Sequence, residues 1–175
     1  GSGKSTFLQL LSALACPSEG AVSHLWDAGI IPPEEVFRHI TFAAPYQELI
    51  EELTLRELVR FHFRFRRTVP GMTPESIIPA AGLEHAADKK IGHFSSGMKQ
   101  RVRLALALLT DSSAVLLDEP ASNLDEEGIA LYRKLAERHT GKRLLVVCSN
   151  HQPCEYDFCQ LRFQPGDYRD GSRPG

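Results

Sequence analysis

The chain has 175 residues, 42% hydrophobic and 24% charged, the composition of an ordinary globular domain with a sizeable core. Twenty Lys and Arg against 22 Asp and Glu leave a net charge of −2, so no global basic field points to nucleic acid. No apolar run nears the roughly 18 residues of a membrane span, no signal peptide is visible, and four scattered cysteines suggest reduced thiols rather than a disulfide scaffold.

Gly1-Ser2-Gly3-Lys4-Ser5-Thr6 reads as the end of a phosphate-binding loop, G-x-x-x-x-G-K-[ST]. Glycines let successive backbone N–H groups turn toward phosphate oxygens, and the following helix presents its N-terminus to the anion. Lys4 would reach the β/γ-phosphates and the Ser5 hydroxyl would bind Mg²⁺. The pattern's first Gly and the strand before it would precede residue 1, so the chain reads as a piece of a longer nucleotide-binding protein. By themselves these residues could equally be a Gly-rich tail.

Apolar spacing at Phe7, Leu10, Leu11 and Leu14 predicts a helix over 6–14, broken by the turn residues 17–20. Residues 21–44 read as irregular, with short strands near 21–25 and 39–43. Leu55, Leu58, Val59 and His62 share one face of a helix expected over 53–65. Its end, 60–67, mixes arginines and aromatics; stacking on nucleic-acid bases is one reading, an amphipathic helix with a solvated basic edge the weightier one. A loop over 70–79 opens a short helix at Pro74. Met98, Val102, Ala105, Leu106 and Leu109 form the stripe of a helix over 96–109.

The run Ala114-Val115-Leu116-Leu117-Asp118-Glu119-Pro120 suits a strand buried on both faces of a parallel sheet. Ligands of such sheets bind at the carboxyl ends of strands. Asp118 would there hold Mg²⁺, and Glu119 would orient or deprotonate an attacking water. The bland alternative is a core strand that ends in an acidic turn. A helix over 126–139, stopped by Gly141, precedes a buried strand over 143–148 and a last short strand over 160–163. Helices alternating with apolar strands predict an α/β fold: a P-loop NTPase core with a parallel-rich central sheet flanked by helices. Cys148, His151, Cys154 and Cys159 are ligand types that suit Zn²⁺, but their spacing is unlike a two-knuckle site.

Phe94-Ser95-Ser96-Gly97-Met98-Lys99-Gln100-Arg101, ending in a helix that lies before Asp118, resembles the signature loop of ATP-binding-cassette ATPases, usually L-S-G-G-Q. Ser122-Asn123-Leu124-Asp125 is similar to that family's D-loop. The motifs stand in the family's order over nearly the whole chain, although Phe94, Ser96 and Met98 depart from the signature. The S-S-G-M form resembles exporter-type subunits.

The resemblance implies one cassette domain over 1–175, with a core of about 1–47 and 110–175 and a helical signature subdomain of about 48–109. It implies ATP and Mg²⁺ as cofactors. Gly1, Ser2, Gly3, Lys4, Ser5 and Thr6 would bind nucleotide on one side; Ser95, Ser96, Gly97 and Asp125 would close on the nucleotide of a second subunit. It also implies a Gln that contacts Mg²⁺ and the water, and a His that binds the γ-phosphate. Matching Leu53-Thr54-Leu55-Arg56-Glu57 to the family's L-T-V-R-E puts Pro45 where the Gln belongs, and Gln47 is the expected substitute. Asn150 falls at the His position without a gap, His151 with a shift of one. The implied partners are a second ATPase subunit and a transmembrane permease, with the domain cytoplasmic on the membrane's inner face and no nucleic acid involved. A soluble cassette ATPase of translation or DNA maintenance is the alternative.

Overall fold

The computed structural model describes residues 3–26 and 29–164. Helix α1, Lys4–Leu11, begins after Gly3, whose φ of 78° lies in the left-handed region that glycine enters without a Cβ clash. It ends three residues before the expected point. Ala13 takes a positive φ, and Leu14 is 66% exposed rather than part of a buried face. Leu8 is the residue α1 buries, against Leu116 and Cys148. The strands expected over 21–25 and 39–43 lie apart. β1, His24–Trp26, and β2, Gly29–Ile31, form an antiparallel pair of their own. A short helix α2, Val36–His39, leads into β3, Ile40–Ala43.

Thr54 caps α3, Leu55–Phe65: its hydroxyl accepts from the Glu57 amide while the Glu57 carboxylate accepts from the Thr54 amide, satisfying two otherwise orphaned donors. Leu55, Leu58 and Val59 are buried on the expected face. His62 follows them, within 2.8 Å of the Thr110 hydroxyl. Helix α4 runs Pro74–Ala80. Helix α5, Ser96–Leu109, buries Val102, Ala105, Leu106 and Leu109 of the expected stripe, leaves Met98 partly buried against the core, and also buries Gln100, Leu104, Ala107 and Leu108, so its second half is enclosed almost all round. It packs on β3 and on α6, Glu126–His139.

Strand β4, Ala114–Asp118, is buried at every residue, as an apolar run in a two-sided parallel sheet must be. It lies between β3 and β5, Leu144–Cys148, and pairs parallel with both. One continuous apolar core joins the sheet, through Val115 and Leu117, to α3, α4, α5 and α6. No strand forms over 160–163. Leu161 is 90% exposed, and the segment is held by rings instead: Arg162 lies over Tyr156, and Phe163 meets Phe7 edge-on at 5.1 Å. Two apolar residues with no neighbouring strand to pair with do not sustain a ladder.

Candidate nucleotide site at the carboxyl edge of the sheet

The parallel register sets Asp118 opposite Cys148 at the carboxyl edge. Helix α1 starts at the same edge, because the Cys148 thiol donates to the Lys4 carbonyl at 3.5 Å. Burial pushes the Cys148 thiol up to about 12; the Asp118 charge adds to the shift and the Lys4 charge opposes it. Lys4, Ser5 and Thr6 make up the first turn of α1, where unpaired amides and the helix dipole favour an anion. Gly1 and Ser2 lie outside the described residues.

Glu119 takes a positive φ of 43°, a strained conformation for a non-glycine residue. Its amide donates to the Cys148 carbonyl at 2.8 Å, which fixes the turn leaving β4 to the end of β5. Past that strand, the Asn150 side-chain amide donates to the Glu119 carboxylate. His151, with a φ of 63°, is exposed and makes no such contact among the described residues. Of the two registers open in the sequence, Asn150 is therefore the residue brought to the catalytic candidate.

Gln47 is held within its own loop and against α5. Its side-chain oxygen accepts from the Ala44 amide at 3.0 Å, and its carbonyl accepts from Arg103 Nε at 2.7 Å. Among the described residues it makes no hydrogen bond to Asp118 or Glu119. Tyr46, its neighbour, donates its hydroxyl to Asp118 Oδ2 at 3.3 Å. No motif flagged Tyr46; only the folded loop brings it there.

Ser95 caps α5, its hydroxyl accepting from the Met98 amide at 3.2 Å, and Ser96 and Gly97 open the helix. The Asp125 carboxylate caps α6 by accepting from Gly128, and it pairs with Arg101 at 2.8 Å. That guanidinium holds the Asp125 carboxyl below its ordinary range. Behind these loops, the buried Gln100 amide donates to the Pro120 carbonyl at 3.1 Å, and Glu155 Oε1 accepts from the Ala121 amide at 2.8 Å. Gln100 and Glu155 are 0% exposed and brace the segment after Glu119 from two sides. Sequence reasoning passed over both.

The donor set fits Mg²⁺ held mainly by a nucleotide. Asp118 is a hard oxygen ligand, 3% exposed, whose Oδ2 accepts from the Tyr46 hydroxyl. No group of three or more His, Cys, Asp or Glu that could hold a metal alone exists among the described residues. Cys148, His151, Cys154 and Cys159 therefore form no such cluster.

A parallel sheet with a phosphate-loop helix and two carboxylates at its carboxyl edge defines a P-loop nucleoside-triphosphatase. The profile of the family described as "ABC transporter" matches residues 1–122. The cytochrome c biogenesis ATP-binding export protein CcmA of Agrobacterium fabrum is 33% identical over 166 residues, covering 91% of this chain and 76% of the relative. The lipoprotein-releasing system ATP-binding protein LolD of Nitratidesulfovibrio vulgaris is 32% identical, covering 99% and 79%. Among solved structures, the ATP-binding cassette MJ0796, a dimer in a post-hydrolysis state bound to ADP and Pi, matches with a TM-score of 0.66 at 29% identity, over 85% of this chain and 71% of that one. A putative ABC transporter ATP-binding protein from Pyrococcus furiosus shares the fold at a TM-score of 0.69 and 21% identity, over 86% and 74%. The chain belongs to the ABC transporter family, as one of its ATPases.

Proposed function

We propose that this domain is the ATP-binding and ATP-hydrolysing subunit of a membrane exporter, and that ATP-driven closure of two such subunits drives a permease. The observation that carries the reading is the meeting of Glu119, Asn150, Asp118 and the start of α1 at one sheet edge. The relative named as an export protein supports the exporter reading. No helix among the described residues is long and apolar enough to cross a membrane; in this reading a permease partner lines the pathway and this subunit sits on its cytoplasmic side.

In this reading Gly1 to Thr6 cradle the phosphates and Lys4 binds them with its charge. Ser5 and Asp118 hold Mg²⁺, which when bound neutralises phosphate charge. Glu119 accepts the proton of the attacking water. Asn150 orients Glu119 and offers an amide donor toward the γ-phosphate, a role His151 would fill only after the turn rearranged. Ser95, Ser96 and Gly97, with Asp125 behind them, complete the partner's site. Residues of about 48–109 form the helical subdomain that faces the permease.

Lys4→Ala in the full-length protein tests the site: ATP binding or turnover is lost, and ordinary affinity together with ordinary turnover refutes it. A soluble role in translation is the second reading, because the fold also matches an archaeal ribosome recycling factor in complex with the ribosomal stalk protein aP1, at a TM-score of 0.61 and 25% identity, although this chain covers only 26% of that one. Co-purification with a membrane permease separates the two readings.

A further inference from the structure

Asp118 is 3% exposed, and the one side-chain hydrogen bond it receives among the described residues comes from the Tyr46 hydroxyl, at 3.3 Å. A buried carboxylate is oriented by the few donors that reach it, and the Tyr46 hydroxyl is one of them. Tyr46 itself is not a core residue: it is 53% exposed, and its ring meets Phe42 at a tilted 6.5 Å. The Gln9 side chain of α1, the helix that follows the phosphate loop, approaches the same hydroxyl. Tyr46 thus stands between the first helix and the metal-binding carboxylate, with half its surface open to whatever binds there.

The loop carrying Tyr46 is anchored on both sides. Gln47 is closed onto Ala44 at 3.0 Å, and its carbonyl is held by Arg103 of α5 at 2.7 Å. Arg103 also reaches the Gln100 side chain, and Gln100 holds the Pro120 carbonyl just past Glu119. One arginine thus links α5, the helix opened by Ser95 and Gly97, to the backbone beside Tyr46.

We infer that Tyr46 is a positioning residue for Mg²⁺. Its hydroxyl holds the Asp118 carboxylate in the rotamer that receives the metal, and the Gln47–Arg103 tether makes that hold respond to the position of α5. Gln47 serves the tether and not the metal. The inference rests on the ATPase reading above and assigns within it a residue that no motif marks.

The test is Tyr46→Phe in the full-length protein, read by ADP affinity in calorimetry with and without Mg²⁺ and by the Mg²⁺ concentration for half-maximal ATP hydrolysis. A hydrogen bond to a charged group is strong enough that its loss shifts the Mg²⁺ requirement upward by about 10-fold. Mg²⁺-free ADP affinity stays at the wild-type value, and Tyr46→Gln, which restores a donor, recovers part of the shift. An unchanged Mg²⁺ requirement in Tyr46→Phe overturns the inference, as does a shift seen in Gln47→Ala but not in Tyr46→Phe. A wild-type protein that binds no ADP·Mg²⁺ overturns the ATPase reading and this inference with it, whereas normal wild-type binding with an unaltered Tyr46→Phe overturns this inference alone.

Discussion

The α-carbon of Gly97 faces the Asn123 carbonyl so closely that a Cβ there would lie 2.8 Å from the oxygen. The loop before α5 and the loop before α6 are thereby pressed backbone to backbone, with Arg101 and Asp125 closing the contact beside them. Any side chain at position 97 must push the two loops apart, because the atom in its way is main chain.

Gly97→Ala accordingly lowers stability by about 1–3 kcal/mol, the ordinary cost of overpacking. Chemical denaturation measures it. ATP-dependent dimerisation falls further than stability does, since the displaced groups are those proposed to meet the partner's nucleotide. A variant with wild-type denaturation and dimerisation contradicts the packing described.

Glu155 carries a buried carboxyl whose Oε2 has no hydrogen-bond partner among the described residues. Burial raises its pKa, with the Ser149 hydroxyl and the Ala121 amide opposing and the charges of Glu119 and Asp118 adding to the rise. The folded chain therefore keeps this proton at pH values where the unfolded chain, near 4.5, has lost it. Its contribution to stability is full below that value and declines as pH rises through the folded pKa. Glu155→Gln keeps an oxygen for Ala121 and removes the ionisation. Its melting temperature should exceed that of wild type more at about pH 8 than at about pH 5.

His62 behaves in the opposite sense. Its pKa falls from 6.5 to about 4, mainly through burial, with the Arg66 charge adding. The Thr110 hydroxyl donates to the Leu106 carbonyl at 2.6 Å, which leaves its oxygen to accept from the neutral His62 ring. Unfolded chains take up a proton below 6.5 that the fold refuses, so stability is lost as pH falls from 6.5 toward 4. The loss is at most about 3 kcal/mol. In His62→Gln, urea midpoints should decline less across that acid range.

These positions show which parts of the molecule were legible in the sequence. Helices α5 and α6 and strand β4 follow from periodicity and apolar runs, because their burial is set by their own residues. Helix α1 is shorter than its spacing suggests: Leu14 continues the apolar period but is 66% exposed among the described residues. The strand expected over 160–163 needed a neighbour that the described residues do not supply. At the candidate site, Lys4, Asp118, Glu119 and Ser95 belong to local motifs, which is why a sequence can propose them. Tyr46, Gln100 and Glu155 act on residues far away in sequence, Tyr46 on Asp118 across 72 positions, and no local pattern encodes such pairs.

The two candidates for the γ-phosphate switch are separated by single substitutions. Asn150→Ala removes the group that holds Glu119 and should lower ATP turnover by about 10-fold or more, the scale of a lost charged hydrogen bond. His151→Ala should have the smaller effect. Steady-state hydrolysis with ATP in excess decides the ranking, and the reverse order would place His151 at the nucleotide.

The central claim is that Glu119 activates the water that cleaves ATP. Its most direct test is single-turnover ATP hydrolysis by full-length Glu119→Gln beside wild type, with nucleotide binding measured in parallel. Gln keeps the shape and the contact distance to Asn150 but cannot accept the proton. The predicted result is retained ATP binding, a fall in hydrolysis of about 10²–10⁴-fold, and accumulation of an ATP-bound dimer. Hydrolysis at the wild-type rate would contradict it.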